Sequence, residues 1–357
     1  MQFLTAPIQY PTMKNLVLPL NYKALLDPKH TERAILKLKD AFQTNLAFEL
    51  NLTRVTAPLF VRTGTGVNDD LNGVERPVSF QIGHMNNEEV QVVQSLAKWK
   101  RMALADLGFQ TGEGLYTDMN AIRPDDPVDS THSIYVDQWD WEISITKADR
   151  TIDFLKSTVR KIYDVIRRTE RFIGHEYDEI TPYLPDEIHF VYSEDLLRDY
   201  PDLSPKEREY KVCKEYGAVF VIGIGGELAD GSIHDGRAPD YDDWSTPTGN
   251  GHIGLNGDIL VYNRTLDMAL ELSSMGIRVD IEALKRQLKI RDAEDRKELY
   301  FHKRLLDDTL PLSLGGGIGQ SRLCMLMLQK AHIGEIQTSI WPDEMITLCE
   351  ENGINLL

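Results

Sequence analysis

The sequence predicts an α+β fold in which an antiparallel sheet is flanked by helices. Three observations carry that expectation. Two long stretches repeat apolar residues at helical spacing: Ile35, Leu38, Phe42 and Leu46, then Ile152, Leu155, Val159, Ile162 and Ile166. Short strand-like runs follow one another through hairpin turns and long loops. There is no regular strand–helix–strand alternation, so a doubly wound parallel sheet is disfavoured.

Taken in order, residues 1–26 read as a loosely packed extension and 27–357 as one domain. Asp27-Pro28 is an N-cap followed by proline at the first helical position, which starts the first helix. LTRVTAPLFV reads as a strand, and Pro58 inside it removes a ladder donor, which places that strand at an edge or an interface. SIYVDQWDWEISI, IHFVYS and AVFVIGIGG also read as strands, and a second helix spans Thr151 to Phe172. DILVYNRTLDMALELSS reads as a hairpin. A four-residue loop from Asn263 to Leu266 would pair Tyr262 with Asp267 and set Asp258 opposite Glu271. EALKRQLKI is a short helix, and a glycine-rich stretch leads into the final one.

Composition narrows the function. A chain of 357 residues with 42% hydrophobic and 27% charged residues suits a globular enzyme. Its net charge of -17 opposes a polyanionic partner, so no nucleic acid is expected. No run of about 18 apolar residues exists, so no membrane partner is expected either. Cys213, Cys324 and Cys349 are widely spaced and form no CxxC pair, which argues against zinc sites and disulfides and for a reducing, cytoplasmic location. None stands in the sequence context of a glutamine-hydrolysing nucleophile, and the chain begins Met1-Gln2-Phe3, so free ammonia is the simplest nitrogen donor for any amide-forming chemistry. The histidines show no metal spacing; His84, His234 and His252 read as structural.

GGGIGQSR, Gly315 to Arg322, matches neither familiar phosphate motif. It lacks the lysine of a P-loop and the last glycine of a dinucleotide fingerprint. What remains is Gly-x-Gly-x-Gly-x-x-Arg. Alternating glycines, Gly315, Gly317 and Gly319, make room for a flat group, and Arg322 stands ready to stack on a base or meet a phosphate. A tight strand–helix junction with a surface arginine explains the stretch equally well.

With LTRVTAPLF and AIRPDD, the glycine stretch forms an ordered set that resembles the three signature motifs of class II aminoacyl-tRNA synthetases. Ile122, Gly316 and Ser321 depart from the usual pattern and suggest a branch of that fold. QSLAKWKR, GEGLYT, AIRPDD, YVDQWDWE, APDYDDWSTP, LNGDILV, ELSSMGIRVD and GGGIGQSRL resemble the ammonia-dependent asparagine synthetases, the asparagine synthetase A family, from about Thr31 to Trp341.

That resemblance implies a homodimer built on the first motif. It also implies a ligase that joins L-aspartate and ammonia at the cost of ATP, through β-aspartyl-AMP. Arg123 is then expected on the α-phosphate and Arg322 on the adenine and outer phosphates, with Gly317 and Gly319 beside the nucleotide. Asp258 and Glu271 are expected to hold Mg2+, since like charges on neighbouring strands are unfavourable without a cation between them. Lys100 and Arg278 are candidates for the aspartate α-carboxylate, and Asp140 and Asp242 for its amino group, with Ser274 a further substrate contact. Asp69, Arg123 and Gln138 are expected at the reacting carbonyl, with Asp69 accepting the proton that ammonium must lose; Asp70 competes for that role. Without the family motifs, KWKR would read as helix surface, APDYDDW as an acidic loop and NDDLNG as a polar turn. A tRNA-charging enzyme lacks room here for an anticodon-binding domain. A non-catalytic paralogue on the same fold would be expected to lose these polar residues.

Overall fold

The computed structural model of the protein describes residues 16–69, 71 and 75–357. The chain opens with α1 (Pro28–Glu49). It passes through β1 (Leu52–Arg54), β2 (Phe60–Arg62), β3 (Ser79–Ile82) and β4 (Glu88–Val92) to α2 (Ala97–Asp106). Next come β5 (Gly114–Ile122), β6 (Tyr135–Ser144), α3 (Ile152–Glu176), β7 (His189–Tyr192), α4 (Ser193–Asp199), α5 (Pro205–Tyr216) and β8 (Ala218–Ile222). The short pair β9 (Pro247–Gly249) and β10 (His252–Ile253) precedes the hairpin β11 (Asn256–Asn263) and β12 (Met268–Ile277). The chain ends with α6 (Ile281–Ile290), α7 (Tyr300–Leu306), β13 (Ser313–Gly319), α8 (Gln320–Met327) and α9 (Asp343–Glu351).

An eight-stranded sheet, ordered β1-β5-β6-β13-β12-β11-β8-β7, forms the centre. The six inner strands are antiparallel, as expected, but both outermost pairings, β1 with β5 and β7 with β8, are parallel. A separate three-stranded sheet, β2-β4-β3, lies apart.

The periodicities that the sequence displays are used as predicted. Asp27 caps α1 by accepting from the His30 amide, and Thr151 caps α3 by accepting from Phe154. The apolar faces of α1 and α3 join one core with the sheet, where Phe42 meets the Trp139 ring at 4.6 Å between centroids. Strand β6 alternates. Trp139, Trp141 and Ile143 enter that core, while Gln138, Asp140 and Glu142 take the opposite face by the two-residue pleat. The functional face of the sheet is therefore the one away from α1 and α3.

Three expectations change. LTRVTAPLFV is not one strand: it breaks into β1 and β2, and Pro58 lies in the connection, since proline cannot donate to a ladder. The described part of the N-terminal segment is tied down rather than loosely packed. Val17 donates its amide to Ser130 Oγ at 2.8 Å, and the Tyr22 hydroxyl reaches both Glu335 oxygens at 3.0 and 3.1 Å. The hairpin register also differs. Asn263 pairs with Met268 and Leu260 with Glu271; Leu272 is then skipped, and Asp258 faces Ser274. The loop is Arg264–Asp267, and a bulge follows it, which periodicity does not reveal.

Candidate active site

The floor of the site is built by β6, β13 and β12. Gly315, Gly317 and Gly319 pair with Glu142, Asp140 and Gln138, so each glycine stands beside a polar side chain. A Cβ on Gly315 would lie 1.8 Å from Glu142 Oε2 and 2.7 Å from Arg278 Nη2. A Cβ on Gly317 would lie 2.3 Å from Gln138 Oε1. The expected room for a flat group is thus already filled at Gly315 by the protein's own ion pair. Gly317 and Gly319 line the cavity described below, with Gln138 and Arg322 as their nearest side chains.

Behind this floor lies a buried charge network. Arg278 grips Glu142 with a fork, Nε to Oε1 at 3.0 Å and Nη2 to Oε2 at 2.8 Å, and its Nη1 donates to Asp242. Burial works against the guanidinium charge, but the two carboxylates outweigh it and raise its pKa. Burial likewise pushes the Asp242 carboxyl up, against the pull of Arg278. Burial also opposes the Glu142 charge, yet Arg278 holds its carboxyl below the usual range. Lys100, on α2, donates to Asp140 and to the Gly316 carbonyl at 2.7 Å. Its ammonium is lowered by burial. Asp140 Oδ2 is buried with no hydrogen-bond partner among the described residues, an acceptor of the kind that a buried site seldom leaves empty without a use.

In front of the floor is a cavity of 340 Å³. Arg123, Gln138, Glu271, Ser274, Gly317, Gly319 and Arg322 line it, so these seven expected site residues converge on one space. The Gln94 carbonyl holds the Arg123 guanidinium, accepting from Nη2 at 2.9 Å and Nε at 3.2 Å. Arg322 rises from the first turn of α8 and touches the Thr131 and Glu271 carbonyls at 3.4 and 3.3 Å. Lys100, Asp140, Asp242, Asp258 and Arg278 do not line this cavity. Asp69 does not line it either: it is buried beside Tyr241, which does, and whose hydroxyl pKa is raised by burial first and by the Asp69 charge second. Leu71 and Glu75 reach the cavity. Asp70 lies outside the described residues.

At one end of the cavity the bulged hairpin gathers three carboxylates. Oxygens of Asp235, Asp258 and Glu271 all lie within 4.8 Å of one another. Asp258 and Glu271 are thus neighbours even though they are not register partners. Burial and the Glu271 charge raise the Asp258 carboxyl, although Arg237 pulls the other way. The Arg237 guanidinium donates to Asp258, and to Ser274 Oγ at 3.0 Å. Three oxygen donors from a cluster that resists full ionisation suit a hard divalent cation. Sequence reading missed Asp235, Arg237 and Glu142. Glu142 was signalled by its place in the alternating run DQWDWE; IHDGR carries no periodic signal that ties it to a strand more than twenty residues later.

The sheet and the cavity together define the class. The fold matches the asparaginyl-tRNA synthetase of Pyrococcus horikoshii solved with asparaginyl-adenylate: TM-score 0.64 and 15% identity, covering 87% of this chain and 70% of that one. An asparaginyl-tRNA synthetase of Entamoeba histolytica, also with asparaginyl-adenylate, gives a TM-score of 0.62 at 16% identity, covering 86% and 66%. The protein therefore has the class II aminoacyl-tRNA synthetase fold, on a chain spanning about two thirds of those enzymes' length. Within that class, residues 29–353 match the profile of the aspartate-ammonia ligase family. Aspartate-ammonia ligases of Bacteroides thetaiotaomicron and Clostridium perfringens are 58% and 57% identical over 345 residues, 97% of this chain and all of theirs. The chain belongs to the aspartate-ammonia ligase family.

Proposed function

We propose that the protein is an ATP-dependent aspartate–ammonia ligase that makes L-asparagine through β-aspartyl-AMP. The observation that carries this reading is the convergence of Arg123, Gln138, Arg322, Asp235 and Glu271 on one cavity, with Asp258 beside the last two, backed by the buried Lys100–Asp140 and Glu142–Arg278–Asp242 network.

In the first step a β-carboxylate oxygen of aspartate bonds to the α-phosphorus of ATP. The bond to the bridging oxygen breaks, and its electron pair leaves with pyrophosphate. Arg123 holds the α-phosphate and stabilises the charge that develops there. Arg322 stacks against the base. Asp258 and Glu271, with Asp235 as a third donor, hold Mg2+, which neutralises phosphate charge when bound. Lys100 and Arg278 attract the aspartate α-carboxylate. Asp140, through its unpartnered Oδ2, and Asp242 accept from its ammonium, and Ser274 adds a hydroxyl. In the second step ammonia attacks the β-carbonyl, and the C–O bond to AMP breaks with its electrons leaving on AMP. Asp69 takes the proton that ammonium loses, and Gln138 orients the acyl group.

The test is incubation with ATP, Mg2+ and L-aspartate, with and without ammonium. Ammonium-dependent AMP and asparagine are expected, with glutamine a poor substitute. Arg123→Ala is expected to lose adenylation, and Asp69→Ala to slow amide formation more than adenylation. Aspartate-dependent ATP–pyrophosphate exchange without asparagine would instead indicate another acceptor, with tRNA tried next.

A homodimer and a cytoplasmic location belong to the same proposal. Exposed Leu36 and Phe48 on α1, with Leu59 and Phe60 nearby in sequence, support an apolar interface, which light scattering would test. The three free, buried cysteines fit a reducing compartment, and no helix among the described residues is long and apolar enough to cross a membrane.

A further inference from the structure

A second cavity, of about 620 Å³, lies beside the turn that follows α8. Residues 330–337 serve both cavities: Ile333 and Gln337 line the first, and Lys330 and Glu335 line the second. Residues of the N-terminal segment and of the chain after α9 complete the second lining.

Two opposite charges are buried in that lining. Lys330 is 2% exposed and Glu335 3%. The Lys330 ammonium donates to the Leu26 carbonyl at 3.1 Å, while Glu335 Oε1 stands 3.8 Å away, beyond hydrogen-bond reach. An ammonium has three N–H donors, so two of them meet no acceptor at hydrogen-bond distance among the described residues. Glu335 is fixed by its own donors. Tyr22 reaches both of its oxygens, and the Ala331 and His332 amides donate to Oε2 at 3.0 and 3.2 Å, which leaves Oε1 with one donor. Burial pulls the Lys330 ammonium down and pushes the Glu335 carboxyl up, so each charge gains from an opposite one brought closer.

The lining also selects the ligand. With the exposed Lys23, Asp27 and Glu351 it carries two lysines against three carboxylates, which disfavours a simple anion. A free α-amino acid carries a carboxylate and an ammonium on one carbon, close enough together to face a pair of charges 3.8 Å apart. The carboxamides of Asn21 and Asn355 suit a polar side chain on it.

We propose that this cavity binds a free α-amino acid, with its carboxylate on Lys330 and its ammonium on Glu335, and that the occupant acts on the first cavity through the turn they share. The route is short. Glu335 holds the start of the turn, Ile333 donates its amide to the Ser130 carbonyl at 2.8 Å, and Arg322 touches the carbonyl of the next residue, Thr131. Gln337 donates to Ser321 Oγ at 3.2 Å, on the first turn of α8. The effect on activity rests on the ligase reading above; the binding does not.

Calorimetric titration of the full chain with L-glutamine tests the site, since glutamine carries both charged groups and a carboxamide. Saturable binding is expected. Glycine, which keeps only the two charged groups, should compete; acetate and methylammonium, which carry one each, should not. Lys330→Met removes the cation, and Asn355→Trp adds bulk at an exposed lining position without removing a charge. Each should raise the Kd for L-glutamine by about 10-fold or more, the effect of losing one hydrogen bond to a charged group, with thermal unfolding showing that both variants are folded. At saturating ammonium, so that glutamine supplies no nitrogen, L-glutamine should shift the KM for ATP by about 5-fold in the wild type and in neither variant. Absent binding, or equal binding by the wild type and both folded variants, overturns the site. Competition by acetate as strong as that by glycine makes it an anion site and overturns the amino-acid assignment. Binding that leaves the KM for ATP unmoved overturns the coupling. Wild-type protein that binds L-glutamine through Lys330 yet makes no asparagine removes the ligase reading and upholds the site.

Discussion

Gly315 and Glu142 face each other across β13 and β6, and the glycine has no side chain because the glutamate needs the space. A Cβ at Gly315 would stand 1.8 Å from Glu142 Oε2, in the place where Arg278 completes its fork. Gly315→Ala is therefore expected to push apart a buried ion pair. Overpacking of this kind costs about 1–3 kcal/mol, and asparagine formation should fall with it. Gly83→Ala, at an ordinary backbone angle with nothing within 4 Å, is the control and should change neither. Thermal unfolding and steady-state rates of the two variants make the comparison.

Arg278 holds a glutamate that is wholly buried. Arg278→Ala leaves that carboxylate without its partner and should destabilise the protein by about 3–5 kcal/mol. Arg278→Lys keeps the charge but not the fork. It should fold, with the KM for aspartate raised by about 10- to 100-fold and the KM for ATP little changed. Chemical denaturation and substrate-dependent kinetics separate the two effects. Equal rises in both KM values would remove Arg278 from the aspartate subsite.

The acidic triad predicts a graded dependence on metal. Asp258→Asn, Glu271→Gln and Asp235→Asn each remove one donor charge from oxygens that lie within 4.8 Å of one another. The Mg2+ concentration that gives half-maximal adenylation should rise by at least about tenfold in each. If Asp235→Asn titrates like the wild type, only the other two hold the ion.

His332 gives the stability a pH dependence. Burial is the main cause that pushes its imidazole down to about 4 from the usual 6.5, and its Nδ1 accepts from the Gly334 amide at 3.0 Å. The unfolded chain takes up the proton first as pH falls through about 6.5. The contribution is therefore complete above that value and is lost progressively down to about pH 4, by about 3 kcal/mol. His332→Asn keeps a capping acceptor but cannot titrate. Its unfolding free energy, measured from pH 7.5 to 4, should fall less steeply than that of the wild type.

Local pattern made much of the fold legible. The cap at Asp27, the apolar stripes of α1 and α3, and the alternation of β6 depend on residues close together in the chain, and each was used as it reads. The same alternation already separated the tryptophans from Gln138, Asp140 and Glu142. The glycine stretch left two readings open, room for a flat group and a tight strand–helix junction. What approaches at Gly315 was not legible, because Glu142 on β6 and Arg278, just past the end of β12, lie far from it in sequence.

Two matters were decided only by the folded chain. The bulge at Leu272 set Asp258 opposite Ser274, because an unpaired residue leaves no trace in a two-residue period. Asp235 and Arg237 joined the site from a loop, where contact depends on how the sheet and α6 and α7 close around it rather than on spacing. Secondary structure and one polar face follow from short-range sterics and burial, which a sequence carries openly. The pairing of buried charges follows from long-range packing, where a carboxylate takes whichever cation the fold brings within reach of it.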